Sequence, residues 1–195
     1  FSRFSQKKSR GWSYMKALSW NHPRWGLGFL THQKAGAELS PCMKYEWDAK
    51  KEIMTMVEYS KLQNGSDIRG VALPLVAAEP VNLTEEAAGQ IGRAFAAWLV
   101  ECCGKPAEEL RIAVGRDSRL SGPSLQRAVL TGLVAMGAVA ADCGMASTPA
   151  MFMATVLPGC DFDGAVMITA SHLPQNRNGL KFFTREGGLE SADIK

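Results

Sequence analysis

Apolar residues between Leu62 and Lys195 recur at two spacings, and these predict two kinds of element. A spacing of three to four residues predicts amphipathic helices, and short apolar runs predict buried strands. The predicted helices begin at Thr84, Ser121 and Thr148 and run to about Cys103, Met136 and Leu157. The predicted strands cover residues 111–114, 138–142, 164–168 and 180–183. Because strands alternate with helices, the pattern indicates an α/β layered domain with a mostly parallel sheet.

Composition supports a globular core and excludes two other classes of protein. Of 195 residues, 46% are hydrophobic and 21% are charged. That apolar fraction is enough for a core and excludes disorder as a description of the whole chain. No apolar run approaches the roughly 18 residues that a membrane-spanning helix needs. We therefore expect no membrane partner.

Charge divides the chain into segments. The first 37 residues carry seven basic residues and no acidic one, whereas residues 61–195 carry 12 basic and 14 acidic residues. We predict a basic leader over residues 1–45, a connector over 46–61 and a globular domain over 62–195. The Arg, Lys and Ser content of the leader is typical of an organelle transit peptide. Its three tryptophans leave a nucleic-acid-binding arm as the competing interpretation.

The cysteines and histidines show no metal-site spacing. The five cysteines include no Cys-x-x-Cys pair, and the three histidines stand far apart, at positions 22, 32 and 172. Zinc sites draw their ligands from closely spaced pairs, so a zinc site is not predicted. The pattern favours free thiols in a reducing compartment.

Two polar segments in the globular part carry candidate chemistry. Asn64-Gly-Ser-Asp-Ile-Arg-Gly70 is interpreted as a short polar loop, in which Arg69 either faces a phosphate or carboxylate or is solvated in a surface turn. Gly115-Arg-Asp-Ser-Arg119 directly follows the 111–114 strand. In that segment Arg116, Asp117 and Arg119 either brace one another or cradle an anion near the next helix start.

A third polar segment, residues 169–181, follows a buried strand and carries Ser171 and His172. A hydrolase elbow requires Gly-x-Ser-x-Gly, which this segment lacks. His172 is also a poor general base for Ser171, because adjacent side chains of an extended chain point to opposite faces. A serine that carries a phosphate, with Lys and Arg nearby to balance its charge, fits the segment better.

Together the three segments resemble the motifs of the α-D-phosphohexomutases, the phosphoglucomutase and phosphomannomutase superfamily. Thr169-Ala-Ser-His-Leu-Pro174 with Asn178-Gly-Leu-Lys181 is similar to the family's active-site loop T-A-S-H-N-P and its N-G-[FLI]-K. Residues 64–70 resemble its N-terminal phosphate-side loop, and 115–119 its G-R-D-x-R motif. The order is the same, and the resemblance covers residues 62–195 but not the leader. It implies the first domain of a four-domain enzyme, built as a three-layer α/β/α sandwich with a mixed, mostly parallel sheet.

The resemblance also implies roles for individual residues. Ser171 would be phosphorylated in the resting enzyme and would exchange its phosphate with a hexose phosphate through a bisphosphorylated sugar. Lys181 and Arg69 would balance charge and assist proton transfer, and His172 would support the loop or shuttle a proton. Loop support would come from Arg116, Asp117, Arg119 and Asn178, with Asn178 shaping the turn that leads back to Lys181.

The implied cofactor is Mg²⁺, held by the phosphate on Ser171 and by three aspartates of a second domain. The implied substrate is a hexose phosphate, whose identity the sequence leaves open together with the oligomeric state, and no nucleic-acid partner is implied. Leu173 stands where the family has Asn, which leaves a catalytically reduced phosphosugar-binding or regulatory homologue as the alternative. Divergent plastid-type members would account for both Leu173 and the leader, so chloroplast localisation is expected, with the cytoplasm as the alternative.

Overall fold

The computed structural model describes residues 58–194, which form an α/β domain. Its helices are α1 (Glu85–Cys103), α2 (Gly122–Ala135) and α3 (Thr148–Val156). Its strands are β1 (Gln63–Asn64), β2 (Asp67–Val71), β3 (Arg111–Arg116), β4 (Val139–Met145), β5 (Gly164–Ile168), β6 (Arg177–Thr184) and β7 (Gly187–Gly188). The predicted leader and most of the predicted connector lie outside the described residues. Each described helix is too short or too polar to cross a membrane.

The sheet is mixed, with the order β1-β2-β6-β5-β3-β4 and with β7 paired to β6. β3 pairs in parallel with both β4 and β5, while β6 is antiparallel to both β5 and β2. Among the described strands longer than two residues, β6 therefore runs against the other four. The predicted mixed, mostly parallel sheet is confirmed.

Helices cover both faces of the sheet, which gives the predicted three layers. On one face, Ile112, Val166 and Phe182 pack with the apolar stripes of α1 and α2 in the larger core cluster. On the other face, Ala165 and Met167 pack with Met151 of α3 in a smaller cluster. Neighbouring strand residues alternate between these two clusters, because successive side chains of a strand point to opposite faces.

The helix boundaries follow from local capping. The Thr84 hydroxyl accepts a hydrogen bond from the Ala87 backbone N–H, and Gly104 ends α1 in the left-handed conformation at φ 65°. Ser147, one residue before the predicted start, caps α3 in the same way through the Ala150 N–H. The Ser121 hydroxyl makes no such cap at α2 and instead accepts a bond from Asn178, at 2.9 Å.

Two predictions about the strands were wrong. The segment 64–70, expected to be a loop, includes the first four residues of β2, a strand that is buried at four of its five positions. Asn178, expected in a turn, lies inside β6, because that strand begins at Arg177 rather than at Leu180. As a result Arg69 and Asn178 both have the fixed backbone of a sheet.

Helices α1 and α2 approach so closely that glycines are required at their contact. A Cβ atom added to Gly132 would lie 2.1 Å from the Gly89 carbonyl oxygen, and one added to Gly92 would lie 2.8 Å from that of Val129. Real Cβ atoms do not approach backbone so closely, so a larger residue would force the helices apart.

We predict that Gly132→Ala lowers the free energy of unfolding by about 1–3 kcal/mol through this overpacking. The matched control is Gly188→Ala, where the added Cβ has its nearest neighbour at 3.8 Å. Urea denaturation of both variants measures the difference. Equal stability of Gly132→Ala and the wild type would contradict the close helix contact.

Candidate functional site

The second and third polar segments meet at the carboxyl ends of two adjacent parallel strands. β3 leads into Asp117 and β5 leads into Thr169, with Arg116 opposite Ile168 in the strand register. The Asp117 backbone N–H donates to the Ile168 carbonyl oxygen at 3.0 Å. Parallel strands thus place the two segments side by side, at the edge of the sheet where α/β domains bind ligands.

Ser171 lies at the exposed start of the loop that joins β5 to β6, in an unusual backbone conformation. Its φ of 55° lies in the left-handed region. Among the described non-glycine residues, Asp161 also has a positive φ. This conformation costs roughly 1–2 kcal/mol for a residue with a Cβ. Two hydrogen bonds hold it in place: the Ser171 N–H donates to Thr169 Oγ1 at 3.0 Å, and the Thr169 hydroxyl donates to Asp117 Oδ2 at 2.7 Å. The serine side chain remains exposed to solvent.

His172 lies beside the Ser171 hydroxyl, contrary to the expectation for an extended chain. The distance from Ser171 Oγ to His172 Nδ1 is 3.4 Å. The left-handed backbone at Ser171 brings the two neighbouring side chains to the same side, where extended backbone would separate them. The two side chains therefore lie at the distance of a long, weak hydrogen bond.

Arg119 braces the loop after Ser171 by binding its backbone. Nη2 donates to the carbonyl oxygens of Ser171 and Leu173 at 2.9 and 2.7 Å. Nη1 donates to those of Pro174 and Arg177 at 2.8 and 3.0 Å. The terminal donors of this arginine neither brace the other residues of its motif nor form an anion cradle; they bind the Ser171 loop, the support that the resemblance implies.

Asp117 holds Arg119 in turn. Its carboxylate accepts the Arg119 backbone N–H at 3.0 Å and lies 3.4 Å from Arg119 Nε. The same carboxylate accepts the Thr169 hydroxyl described above. Asp117 thus connects the clamp on the loop to the residue that supports the Ser171 backbone.

Arg116, expected to support the Ser171 loop, makes no hydrogen bond to that loop within residues 58–194. Its Nε donates to Gln126 Oε1 at 3.1 Å, and its Nη1 donates to the Asp117 carbonyl at 3.2 Å. Gln126, which is buried, donates in turn to the Val114 carbonyl and to Asp142 Oδ1. These bonds hold α2 on β3 and β4. Sequence reasoning missed Gln126, which lies on the buried face of α2 and has no motif of its own.

Asn178 connects the start of β6 to the start of α2. Its side-chain Nδ2 donates to the Ser121 hydroxyl at 2.9 Å, and its Oδ1 accepts the Gly179 N–H at 2.9 Å. Asn178 is fully buried, so both bonds compensate for the loss of water. Asn178 therefore supports the site as a fixed strand residue.

Arg69 and Lys181 come together on a third residue, Asp67. The Asp67 carboxylate accepts hydrogen bonds from Arg69 Nη2 at 3.0 Å and from Lys181 Nζ at 2.5 Å. Arg69 crosses over Gly179, where an added Cβ would lie 3.1 Å from Arg69 Cγ. Sequence reasoning missed Asp67 as a site residue, although it stands two positions before Arg69 in the same segment.

The cationic pair lies on β2 and β6, whereas Ser171 lies in the loop after β5, and the two are not in hydrogen-bond contact. Lys181 pairs with Met167, four residues before Ser171. Over residues 58–194, no hydrogen bond joins Arg69 or Lys181 to Ser171. The Nε of Arg69 is buried and lacks an acceptor within this part of the chain.

We predict that Asp67→Asn destabilises the domain by about 1–3 kcal/mol, because it leaves two partly buried cations without their shared carboxylate. At equal ionic strength, inorganic phosphate should recover more of the lost stability than sodium chloride does. The control is Glu58→Gln, whose partner is Lys61 in an exposed pair worth at most about 1 kcal/mol. Denaturation curves in the two salts measure the free energy of unfolding. An equal loss in Asp67→Asn and Glu58→Gln would contradict the prediction.

A separate apolar groove does not contain the site. Its volume is about 440 Å³, and it lies between α3 and the β6–β7 hairpin, where it is lined by Thr148, Pro149, Phe152, Phe183, Gly187 and Gly188. None of the predicted site residues lines this groove. In the described part of the chain, the candidate site is an exposed loop at a strand end rather than an enclosed pocket.

Comparison with known proteins places this arrangement in a family. Residues 60–194 match the family described as "Phosphoglucomutase/phosphomannomutase, alpha/beta/alpha domain I". The chain belongs to this family. The resemblance found in the motifs is therefore confirmed, and so is the fold class of the phosphoglucomutase/phosphomannomutase domain I.

Two curated relatives that align with this part of the chain are named phosphoglucosamine mutases. One from Clostridium perfringens is 38% identical over 136 residues, covering 70% of this chain and 28% of the relative. One from Pediococcus pentosaceus is 40% identical over 113 residues, covering 58% of this chain and 24% of the relative. The chain thus spans less than a third of the length of either relative.

Solved structures of the phosphoglucomutase/phosphomannomutase family have the same fold. A family protein from Burkholderia thailandensis is similar with a TM-score of 0.60 and 32% identity, covering 71% of this chain and 29% of that protein. A protein titled putative phosphomannomutase from Thermus thermophilus, at 24% identity and a TM-score of 0.51, agrees in fold alone.

Proposed function

We propose that the full-length protein is a phosphohexomutase in which Ser171 carries the transferred phosphate. The observation that carries this proposal is the exposed Ser171 hydroxyl, on a loop whose backbone is bound at four carbonyls by Arg119. Phosphoryl transfer depends mainly on positioning and on neutralising oxygen charge. A hydroxyl on a fixed loop supplies the positioning, and Arg69 on β2 with Lys181 on β6 are the cations that we propose to neutralise the charge.

The proposed reaction exchanges phosphate between the serine and a hexose phosphate. The bond from phosphorus to Ser171 Oγ breaks as a new bond forms to a sugar hydroxyl oxygen; the sugar hydroxyl loses its proton and Ser171 Oγ gains one, so that the serine ends as a free hydroxyl. The resulting bisphosphorylated sugar returns its other phosphate to Ser171, so the phosphate moves between C1 and C6. Arg69 and Lys181 neutralise phosphoryl oxygens in this scheme, and His172 exchanges a proton with the serine.

Mg²⁺ is the proposed metal, and a phosphate on Ser171 is its proposed ligand among the described residues. Within residues 58–194 no group of three His, Cys, Asp or Glu side chains could hold a metal. A phosphate on the exposed Ser171 would offer the hard oxygen ligands that Mg²⁺ prefers. When bound, the metal would neutralise phosphoryl charge, while the chain described here presents the phosphate from a fixed loop.

The loop geometry favours the enzyme over a catalytically reduced homologue. Leu173, the departure that raised this alternative, keeps both backbone groups bonded: its N–H donates to the Ala170 carbonyl at 3.0 Å, and its own carbonyl accepts from Arg119 at 2.7 Å. The loop is thus closed through its backbone with leucine in place of the family's asparagine.

The test is intact-mass measurement and peptide mapping of the full-length protein. We expect a phosphate on Ser171 that is discharged by a hexose 1-phosphate or 6-phosphate in the presence of Mg²⁺. A panel of glucosamine, glucose and mannose phosphates identifies the sugar, with glucosamine first because of the names of the relatives. A Ser171 that never carries phosphate, in protein purified with or without sugar phosphate, would refute the proposal. Plastid localisation stays a prediction from the leader.

A further inference from the structure

The segment 72–82, between β2 and α1, lies along the outer side of the Ser171 loop. The backbone N–H groups of Ala72 and Leu73 both donate to the Asn176 carbonyl, at 2.8 and 3.1 Å. The far end of the segment is fixed as well, because Asn82 Oδ1 accepts the Val71 N–H at 2.7 Å. Neither the motifs nor the proposed reaction gives this segment a role.

Glu79 makes the side-chain contacts between this segment and the loop. Its Oε2 accepts Asn176 Nδ2 at 2.8 Å, and its Oε1 accepts Arg177 Nη2 at 2.8 Å. Both carboxylate oxygens are therefore used by residues of one loop. The hydrogen bond from Asn176, followed by that from Arg177, holds the pKa of Glu79 below its usual range, so the group is charged at neutral pH.

Glu79 and Arg119 both bind Arg177, at different groups. Arg119 donates to the Arg177 carbonyl, and Glu79 accepts from the Arg177 guanidinium. Asn176, which is 3% exposed, bonds to segment 72–82 at both its carbonyl and its amide. The end of the loop, where β6 begins, is thus bonded both to Arg119 and to segment 72–82.

We propose that Glu79 is a positioning residue that anchors the Ser171 loop to segment 72–82 and thereby sets the geometry of phosphate transfer. This inference rests on the proposed function. Glu79 acts through Asn176 and Arg177 and does not itself touch the phosphate. A misplacement of about 1 Å at a reacting group can cost on the order of a hundredfold in rate. An anchor at the far end of the loop therefore affects the transfer rate through the position of Ser171.

Hydrogen exchange of the full-length protein tests the anchor directly. In Glu79→Ala, the loop amides of Leu173 and Arg177, which donate to the Ala170 and Pro174 carbonyls, should exchange roughly tenfold faster, because loss of an anchor favours local opening. The amide of Val166 in β5 should keep its rate. The matched control is Glu101→Ala, which removes the same charge from an exposed position on α1.

Kinetics of the same variants separate positioning from a merely structural ion pair. We expect Glu79→Ala to lower kcat by roughly tenfold with KM within twofold, because the loop acts on the transfer step. Exchanging the charges, in Glu79→Arg with Arg177→Glu, should recover part of kcat. A structural pair alone would lower the melting temperature and leave kcat unchanged.

The outcomes distinguish the two proposals. Wild-type exchange at Leu173 and Arg177 in Glu79→Ala overturns the anchor, whether or not the protein is a mutase. An unchanged kcat in an active protein overturns the positioning role and leaves the proposed function standing. A wild-type protein without turnover, combined with faster loop exchange in Glu79→Ala, overturns the proposed function and supports the anchor.

Discussion

Replacing Ser171 with alanine is expected to reduce mutase turnover of the full-length protein by roughly 10⁴-fold or more, as the loss of a covalent nucleophile does in other enzymes. The substitution removes the hydroxyl and leaves the loop intact. Both backbone groups of residue 171 stay bonded, the N–H to Thr169 Oγ1 and the carbonyl to Arg119. Because the side chain is exposed, the free energy of unfolding should change by no more than about 0.5 kcal/mol.

The measurement combines steady-state turnover, the phosphate content of the protein and a urea denaturation curve. Ser191→Ala is the matched control, since Ser191 is also exposed and lies on the C-terminal turn outside the site. It should retain full turnover and full phosphate content. Substantial turnover in Ser171→Ala would show that a different group carries the phosphate.

The helices were predictable because their signals are local. Thr84 and Gly104 enclose α1 in the sequence as they do in the structure, and each acts within four residues of its own position. The strand 164–168 was equally predictable, because it is an unbroken apolar run that is buried on both faces of the sheet. Such elements need no information from distant parts of the chain.

β2 was missed because its polar residues are compensated by a distant strand. Asp67 and Arg69 suggest a solvated loop, yet Asp67 is 8% exposed. Its buried carboxylate is satisfied by Lys181, 114 residues further along the chain. No pattern within residues 64–70 shows that partner, so the sequence indicated the charged residues without indicating that they belong to a sheet.

The candidate site was predictable as a set of segments and not as a set of contacts. The second and third polar segments were each predicted to follow a strand, and Asp117 and Ile168 meet where those two strands end. The sequence left Arg119 between an ion-pair brace and an anion cradle. The structure shows bonds to four carbonyls, from residues 52 to 58 positions away. Backbone acceptors have no side-chain signature, so sequence patterns cannot reveal such a clamp.

The clamp leads to a prediction about Arg119, the second-largest effect that we expect. A guanidinium carries two terminal amino groups whose four N–H donors lie in one plane, and here all four serve carbonyls of one loop. A lysine ammonium has three donors on one atom and cannot reach both pairs of carbonyls. Arg119→Lys should therefore release part of the loop, and Arg119→Ala should release all of it.

We expect Arg119→Ala to lower the free energy of unfolding by about 3 kcal/mol, the scale of hydrogen bonds to a charged donor. Turnover should fall by roughly 10²-fold, because Ser171 loses its fixed position. Arg119→Lys should lie between Arg119→Ala and the wild type in both measures. Phosphate should still be found on Ser171 in both variants, at reduced occupancy, since the hydroxyl itself remains.

Arg127→Lys is the matched control, because Arg127 is exposed on α2 and undergoes the same chemical change away from the loop. It should match the wild type in turnover and stability. Hydrogen exchange at Leu173 then locates the effect of the Arg119 variants: its amide should lose protection in Arg119→Lys and keep it in Arg127→Lys. If Arg119→Lys kept wild-type protection and turnover, the four carbonyl bonds would not be what holds Ser171 in position, and the support of the serine would have to come from Thr169 and Asp117 alone.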